Sequence, residues 1–167
     1  MVAEPQMRLR IAEVVDERDV ARVRSLLVAY AAEFESTIRE TLRLQCFDPE
    51  LAGLPGRYAG PSGILLLATV DEVPAGCVGL RDLGEGVCEM KRLYVDPAFR
   101  SLGLGKRLVE NLIERASQIG YNRMVLDSTP EMTRAVALYE SLGFRTIEPY
   151  GESGHALYFG KPLDRPE

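Results

Sequence analysis

The residues of this sequence best suited to chemistry lie between Val95 and Arg107, in the run VDPAFRSLGLGKR. Gly103 and Gly105 carry no side chain, so backbone N–H groups there can close on a bound anion. Arg100, Lys106 and Arg107 bring positive charge alongside. The run leads into a stretch of helical periodicity. The first N–H groups of a helix have no partner within it and carry the positive end of its dipole. Glycines, basic side chains and a helix start together describe a cradle for a phosphate or pyrophosphate group. Other phosphate motifs fit less well. A P-loop requires glycine at Arg100 and serine or threonine at Arg107, and a dinucleotide fingerprint requires glycine or alanine at Leu108. Taken alone, the two glycines are also compatible with a turn that merely caps a helix.

Other chemistries find little support. Cys46, Cys77 and Cys88 form no C-x-x-C pair, and an odd number fits no simple disulfide framework, so they read as small apolar residues of the interior. His155 is the one histidine and stands without a cysteine or carboxylate at metal-ligand spacing, so no metal site is expected. No Ser-His-Asp or Cys-His set is evident. The net charge is −5 with no dense Lys/Arg block, which argues against a nucleic-acid partner. The longest apolar stretch, Ile64 to Val70, is too short to span a bilayer, and the start of the chain lacks the apolar run of a signal peptide. A cytoplasmic protein with no membrane partner is expected.

The elements that must position the cradle follow from periodicity. Arg8 to Val14 alternates and reads as a strand. Asp16 offers an N-cap to a helix whose inward stripe is Val20, Val23, Leu26, Leu27, Tyr30 and Phe34. From Arg39 to Ser62 the pattern breaks up, and Leu54 to Gly63 reads as a loop rich in Pro and Gly. Strands are predicted over Ile64–Val70, Ala75–Arg81 and Val87–Val95, joined by turns at Asp71–Pro74 and Asp82–Gly86, which makes them antiparallel hairpins. A helix from Leu104 to Ile119 ends at Gly120. A strand over Arg123–Leu126, a helix over Glu131–Leu142 and strands over Phe144–Ile147 and Ala156–Phe159 complete the chain. The order β-α-β-β-β-α-β-α-β-β describes an α/β (α+β) mixed sheet with helices packed on it, and with no linker residues 1–167 read as one domain.

The segment from Glu89 to Gly105, together with AVALYESLGF at Ala135–Phe144, resembles the GCN5-related N-acetyltransferase (GNAT) family. The family's loop pattern [RQ]-x-x-G-x-[GA] is matched by Arg100, Gly103 and Gly105. A later helix with a Tyr before a Gly-Phe pair is matched by Leu138-Tyr139 and Gly143-Phe144, and the strand MKRLYVDP is typical. The resemblance implies the acyl-CoA N-acyltransferase fold, a central, mostly antiparallel twisted sheet flanked by helices. It implies an enzyme that moves an acetyl group from acetyl-CoA to a primary amine of a small molecule or protein, by direct attack in a ternary complex. Its partners would be acetyl-CoA and the amine, and a homodimer is compatible with it.

By the same resemblance, the N–H groups of Ser101, Leu102, Gly103, Leu104, Gly105 and Lys106 hold the pyrophosphate, and Arg100 also binds the cofactor. Leu93, Tyr94 and Val95 lie along the pantetheine arm. The Val95 N–H polarises the thioester carbonyl, an oxyanion-hole role in which one donor is worth about 3 kcal/mol. Tyr139 protonates the departing thiolate. The amine, whose ammonium form titrates near about 10, must lose a proton first. Glu89 is the candidate base, because strict alternation along the strand points it to the same face as Val95. The sequence departs from the family at Met132, where Asn is common, and at Ser101, where Gly is common. Arg57, Tyr58, Arg81 and His155 are candidate contacts for the acceptor. Two other readings stay open at this stage: an acyl-CoA-binding module that senses or assembles without catalysis, and a nucleotide-binding protein of another kind.

Overall fold

The structure is a computed structural model and describes residues 5–34, 39–40, 42–43, 46–151 and 156–166. Its strands are β1 (Leu9–Glu13), β2 (Ile64–Val70), β3 (Val73–Gly84), β4 (Val87–Val95), β5 (Arg123–Ser128), β6 (Arg145–Thr146) and β7 (Leu157–Pro162). Its main helices are α1 (Glu17–Ala32), α2 (Phe47–Ala52), α3 (Leu104–Ile119) and α4 (Thr133–Ser141). One seven-stranded sheet runs in the order β1-β2-β3-β4-β5-β7-β6. Every neighbouring pair is antiparallel except β4 and β5, which are parallel. None of the described helices is long and apolar enough to cross a membrane.

The local reasons are those the residues supply. Asp16 caps α1 by accepting the Asp19 N–H at 2.8 Å. Gly120 ends α3 at φ +114°, a conformation that favours glycine. The hairpin strands run longer than their apolar patterns, because each turn contracts to two residues. Asp71 and Glu72 take φ of 49° and 68°, and Glu85 and Gly86 take 56° and 78°, the left-handed pair of a tight β-turn. Between Arg39 and Ser62 the chain is more regular than its broken pattern predicts. Phe47 anchors α2, and a 3-10 turn at Gly56–Tyr58 interrupts the predicted loop, because Phe47, Leu54 and Tyr58 are all buried.

The sheet divides the core in two. On one face α1 and α2 cover Leu65, Leu67, Cys77 and Tyr94. On the other, α3 and α4 cover Leu66, Val78, Leu80, Met90, Met124 and Leu126. Cys77 and Cys88 are interior, as expected, but Cys46 is exposed. Burial pushes the thiols of Cys77 and Cys88 up to about 12.

Candidate functional site

β4 is where the sheet opens. β5 pairs with it at Val87, Cys88 and Glu89, and that pairing ends at Glu89↔Val125. Beyond that point the two parallel strands part, and a cavity of about 1560 Å³ lies between them, lined among others by Lys91, Leu93, Asp127, Ser128, Met132 and Tyr139. The inner edge of β4 is therefore free along one side. On the other side, the Asp96 N–H donates to the Ala75 carbonyl at 2.8 Å. In an antiparallel ladder successive residues face alternate neighbours, so Val95 turns its N–H and C=O away from β3, toward the opening.

Within β4 the alternation slips. Cys77 faces Tyr94 and Gly79 faces Lys91, so β4 spends one more residue than β3 over the same span. Arg92 sits in this bulge at φ +60°. Before it, Glu89 points to the α1 face, beside its cross-strand partner Arg81. After it, Tyr94 takes the α1 face, while Leu93 and Val95 pack with the α3 face. Glu89 and Val95 therefore lie on opposite faces, and the same-face expectation from strict alternation is corrected.

Past Val95 the chain makes a 3-10 turn over Pro97–Leu102, capped by Asp96 accepting the Ala98 N–H at 2.9 Å. Gly103 follows at φ +70° and α3 begins. The first intrahelical bond runs from Arg107 N–H to Gly103 C=O, which leaves the N–H groups of Leu104, Gly105 and Lys106 without a helical partner. Leu104 plugs its side chain into the core and Leu102 is half-buried, whereas Ser101 and Gly103 are exposed. A Cβ at Gly105 would meet only Leu138 at 3.5 Å and Val95 at 3.9 Å. The fold thus has no steric need for glycine there. The bare backbone leaves a passage between the cradle and the opening of β4.

The charges are arranged differently from the sequence expectation. Arg100 turns away from the helix start: its Nε donates to the Val95 carbonyl at 2.9 Å and its Nη2 to Glu33 at 2.6 Å, with the guanidinium 5.8 Å from the Tyr94 ring centroid. Its charge is paired, so it braces the end of β4 against α1. Lys106 is exposed, 3.8 Å from Glu110. The anion-binding capacity of this turn rests chiefly on backbone N–H groups. The Tyr94 hydroxyl donates to Glu33 at 2.9 Å, and burial with the Glu33 charge pushes its phenol up to about 12.

Tyr139, on α4, is buried between Phe144 and Phe159, with its ring edge-on to the former, and it lines the cavity. Burial first, with the Asp127 carboxylate adding to it, pushes its phenol well above the usual tyrosine range, so it stays protonated at neutral pH. Ser128 Oγ and Thr129 Oγ1 are buried without a hydrogen-bond partner among the described residues, and both residues line the cavity. Unsatisfied buried hydroxyls are uncommon, and here they face the space a ligand can fill.

Glu89 is 3% exposed and both oxygens are engaged. Arg81 Nε donates to Oε1 at 2.6 Å and the Tyr150 hydroxyl to Oε2 at 2.7 Å. Of the predicted acceptor contacts, Arg81 lines the cavity but is held by Glu89. Arg57 and Tyr58 do not line it. Arg57 donates to the Asp82 carbonyl at 3.0 Å, and Tyr58 is a core residue bonded to Glu50 at 3.0 Å. His155 lies outside the described residues. Sequence reasoning passed over two charged pairs of the opening. Lys91 and Asp127 meet across it at 2.9 Å with side chains 8% and 11% exposed, and Arg92 meets Glu50 at 2.7 Å over the Phe47 ring. The parallel register of β4 and β5, extended past Val125, sets Lys91 opposite Asp127. That register was not readable without knowing which strands pair. No group of three or more potential metal-ligating side chains occurs among the described residues.

Known proteins resemble this chain over most of its length. Residues 22–144 match the acetyltransferase (GNAT) family. An uncharacterized N-acetyltransferase of Schizosaccharomyces pombe is 40% identical over 144 residues, covering 85% of this chain and 86% of its own. The crystal structure of a GNAT-family acetyltransferase from Staphylococcus aureus superposes with a TM-score of 0.76 at 18% identity, covering 94% of this chain and all (100%) of the other. A Salmonella typhimurium structure described as a putative acetyltransferase with its cofactor acetyl-CoA superposes with a TM-score of 0.67 at 20% identity, covering 98% of this chain and 97% of the other.

Proposed function

The chain belongs to the acetyltransferase (GNAT) family, and from that premise we propose that it moves the acetyl group of acetyl-CoA to a primary amine of a small molecule or protein, by direct attack in a ternary complex. The observation that carries this reading is the continuity of the site. An open strand edge at Val95 runs through the gap at Gly105 to three free N–H groups at the start of α3. That is a path from a strand-like arm to a pyrophosphate. We also read residues 1–167 as one catalytic domain acting in the cytoplasm.

When bound, acetyl-CoA supplies a thioester whose carbonyl carbon an amine attacks. The N–H groups from Ser101 to Lys106 hold the pyrophosphate, among them those of Leu104, Gly105 and Lys106, which have no helical partner. Leu93, Tyr94 and Val95 align the pantetheine along the open edge of β4. The Val95 N–H takes up negative charge at the carbonyl oxygen, a contribution of about 3 kcal/mol to the barrier. Ser128 and Thr129 supply hydroxyls from the facing strand, where Met132 offers no amide to the cofactor. Tyr139 holds a proton at its hydroxyl for the departing sulfur. Its burial and the nearby Asp127 carboxylate, which keep the phenol protonated, suit that role. Glu89 takes the proton that the amine must lose.

Calorimetry tests the binding half: CoA should bind, and neither ATP nor NAD should compete. Tyr139→Phe tests the chemical half. Turnover should fall by about 10²–10⁴ while CoA affinity stays within a factor of two. Unchanged turnover removes Tyr139 from the mechanism, and competition by either nucleotide removes the cofactor assignment.

A further inference from the structure

Glu89 presents a difficulty as a base that touches substrate directly. It is 3% exposed, Arg81 occupies Oε1, and Tyr150 occupies Oε2. It also sits at the last β4–β5 pair, short of where the strands separate. Tyr150 lines the same cavity as Glu89 but is 40% exposed, and its hydroxyl covers Glu89 Oε2 at 2.7 Å. Its ring is held by an edge-on contact with Tyr158 at 5.0 Å, so the hydroxyl is aimed by packing as well as by the hydrogen bond.

We propose that Tyr150 is the catalytic residue that meets the acceptor amine, and that it relays the amine's proton to Glu89. This rests on the reading of Glu89 as the base. In the step, one ammonium N–H bond breaks and its proton passes to Tyr150 Oη. At the same time the Tyr150 O–H bond breaks and that proton passes to Glu89 Oε2. The amine becomes neutral and able to attack, Tyr150 is again a neutral phenol, and Glu89 becomes a carboxylic acid. Arg81 stays on Oε1, which leaves Oε2 as the only carboxylate oxygen placed to receive the proton. Return of the proton to solvent by the same route resets the site. Burial and the Glu89 charge both disfavour a free Tyr150 phenolate, which calls for the two transfers to be concerted.

The arrangement makes a prediction that a packing role for Tyr150 does not. Tyr150→Phe keeps the ring against Tyr158 and removes only the hydroxyl. Tyr150→Phe, Glu89→Gln and the double variant would be assayed by thiol release with saturating acetyl-CoA. The amine would be the fastest of spermidine, lysine methyl ester and an alanyl peptide. Each single variant should lose at least tenfold in kcat/KM for the amine with CoA affinity near that of the parent, Tyr150→Phe should also keep the parent's thermal midpoint, and the double variant should lose no more than the worse single one. In mixtures of H2O and D2O the parent rate should depend on deuterium content with the curvature of two protons in flight, and that of Tyr150→Phe should be linear. Parent-like activity of Tyr150→Phe alongside an impaired Glu89→Gln overturns the relay and leaves Glu89 as the base. Losses that multiply in the double variant also overturn it. Parent-like activity of Glu89→Gln overturns the base assignment itself, and the relay with it.

Discussion

Substitution of Gly105 by alanine should make the protein more stable and worse at binding its cofactor. The new methyl group meets Leu138 at 3.5 Å and Val95 at 3.9 Å, both ordinary contacts, so nothing in the protein must move. Alanine in place of glycine within a helix contributes about 0.5–1 kcal/mol, with the lower end expected in a first turn. For a chain of this length that corresponds to a rise of about 1–4 °C in Tm without ligand. The same methyl narrows the gap between β4, α4 and the start of α3 through which the cofactor arm must pass. If it weakens CoA binding tenfold, the cost is about 1.4 kcal/mol. At a CoA concentration about 100 times the parent Kd, ligand stabilises the parent by about 2.7 kcal/mol and the variant by about 1.4. The CoA-induced shift in Tm should therefore be about half as large in the variant. Gly103→Ala is the contrasting case. There the methyl meets nothing within 4 Å, but φ is +70°, so stability should fall by about 1–2 kcal/mol. Thermal unfolding of the three proteins with and without CoA reads all of these quantities. If Gly105→Ala shows the full parental shift, the cofactor arm does not pass Gly105.

Two further expectations follow from burial. Lys91→Met removes the charge-assisted hydrogen bond from Lys91 to Asp127 and should cost about 1.5–3 kcal/mol in urea unfolding. A loss under 1 kcal/mol shows that the pair is hydrated in solution. Of the three cysteines, Cys46 is exposed while the thiols of Cys77 and Cys88 are held up at about 12 by burial. A thiol reagent at pH 8 should consume one equivalent rapidly from the native protein and all three only after unfolding. A second fast equivalent contradicts the buried placement.

Much of this fold was legible because its signals are local. Ile64–Val70, Val87–Val95 and Leu104–Ile119 have the bounds their periodicity predicts. Gly103 and Gly120 mark the two ends of α3 as their conformational freedom suggests. The turn that opens α3 was legible for the same reason, since a loop and the helix it opens are contiguous. What was hidden depends on pairing. The opening between β4 and β5 exists only because those strands are neighbours, though the whole of α3 separates them in the chain. The pairing of Arg100 with Glu33 and of Glu89 with Tyr150 spans 67 and 61 residues of sequence, beyond any periodic signal. α2 was missed because its residues, FDPELA, are too few to show a helical repeat. The bulge at Arg92 left no mark in composition, for arginine is not a residue that announces a left-handed backbone.

That bulge acts as a phase change in a repeating pattern. A regular strand is a two-colour sequence in which every odd residue serves one side of the molecule and every even residue the other. Inserting one beat at Arg92 exchanges the colours from there onward, so one strand answers to two masters. Its first half shows Glu89 to the α1 side, and its second half sets Leu93 and Val95 against the α3 side, where Tyr139 also packs. Removing a single residue between Lys91 and Tyr94 would undo the exchange. It would drive the Tyr94 ring into the α3 core and the Val95 side chain out of it, and reverse which way the following backbone groups face. The length of this strand is therefore held more tightly than the identity of most of its residues, and a one-residue deletion there should be more damaging than any point substitution in it.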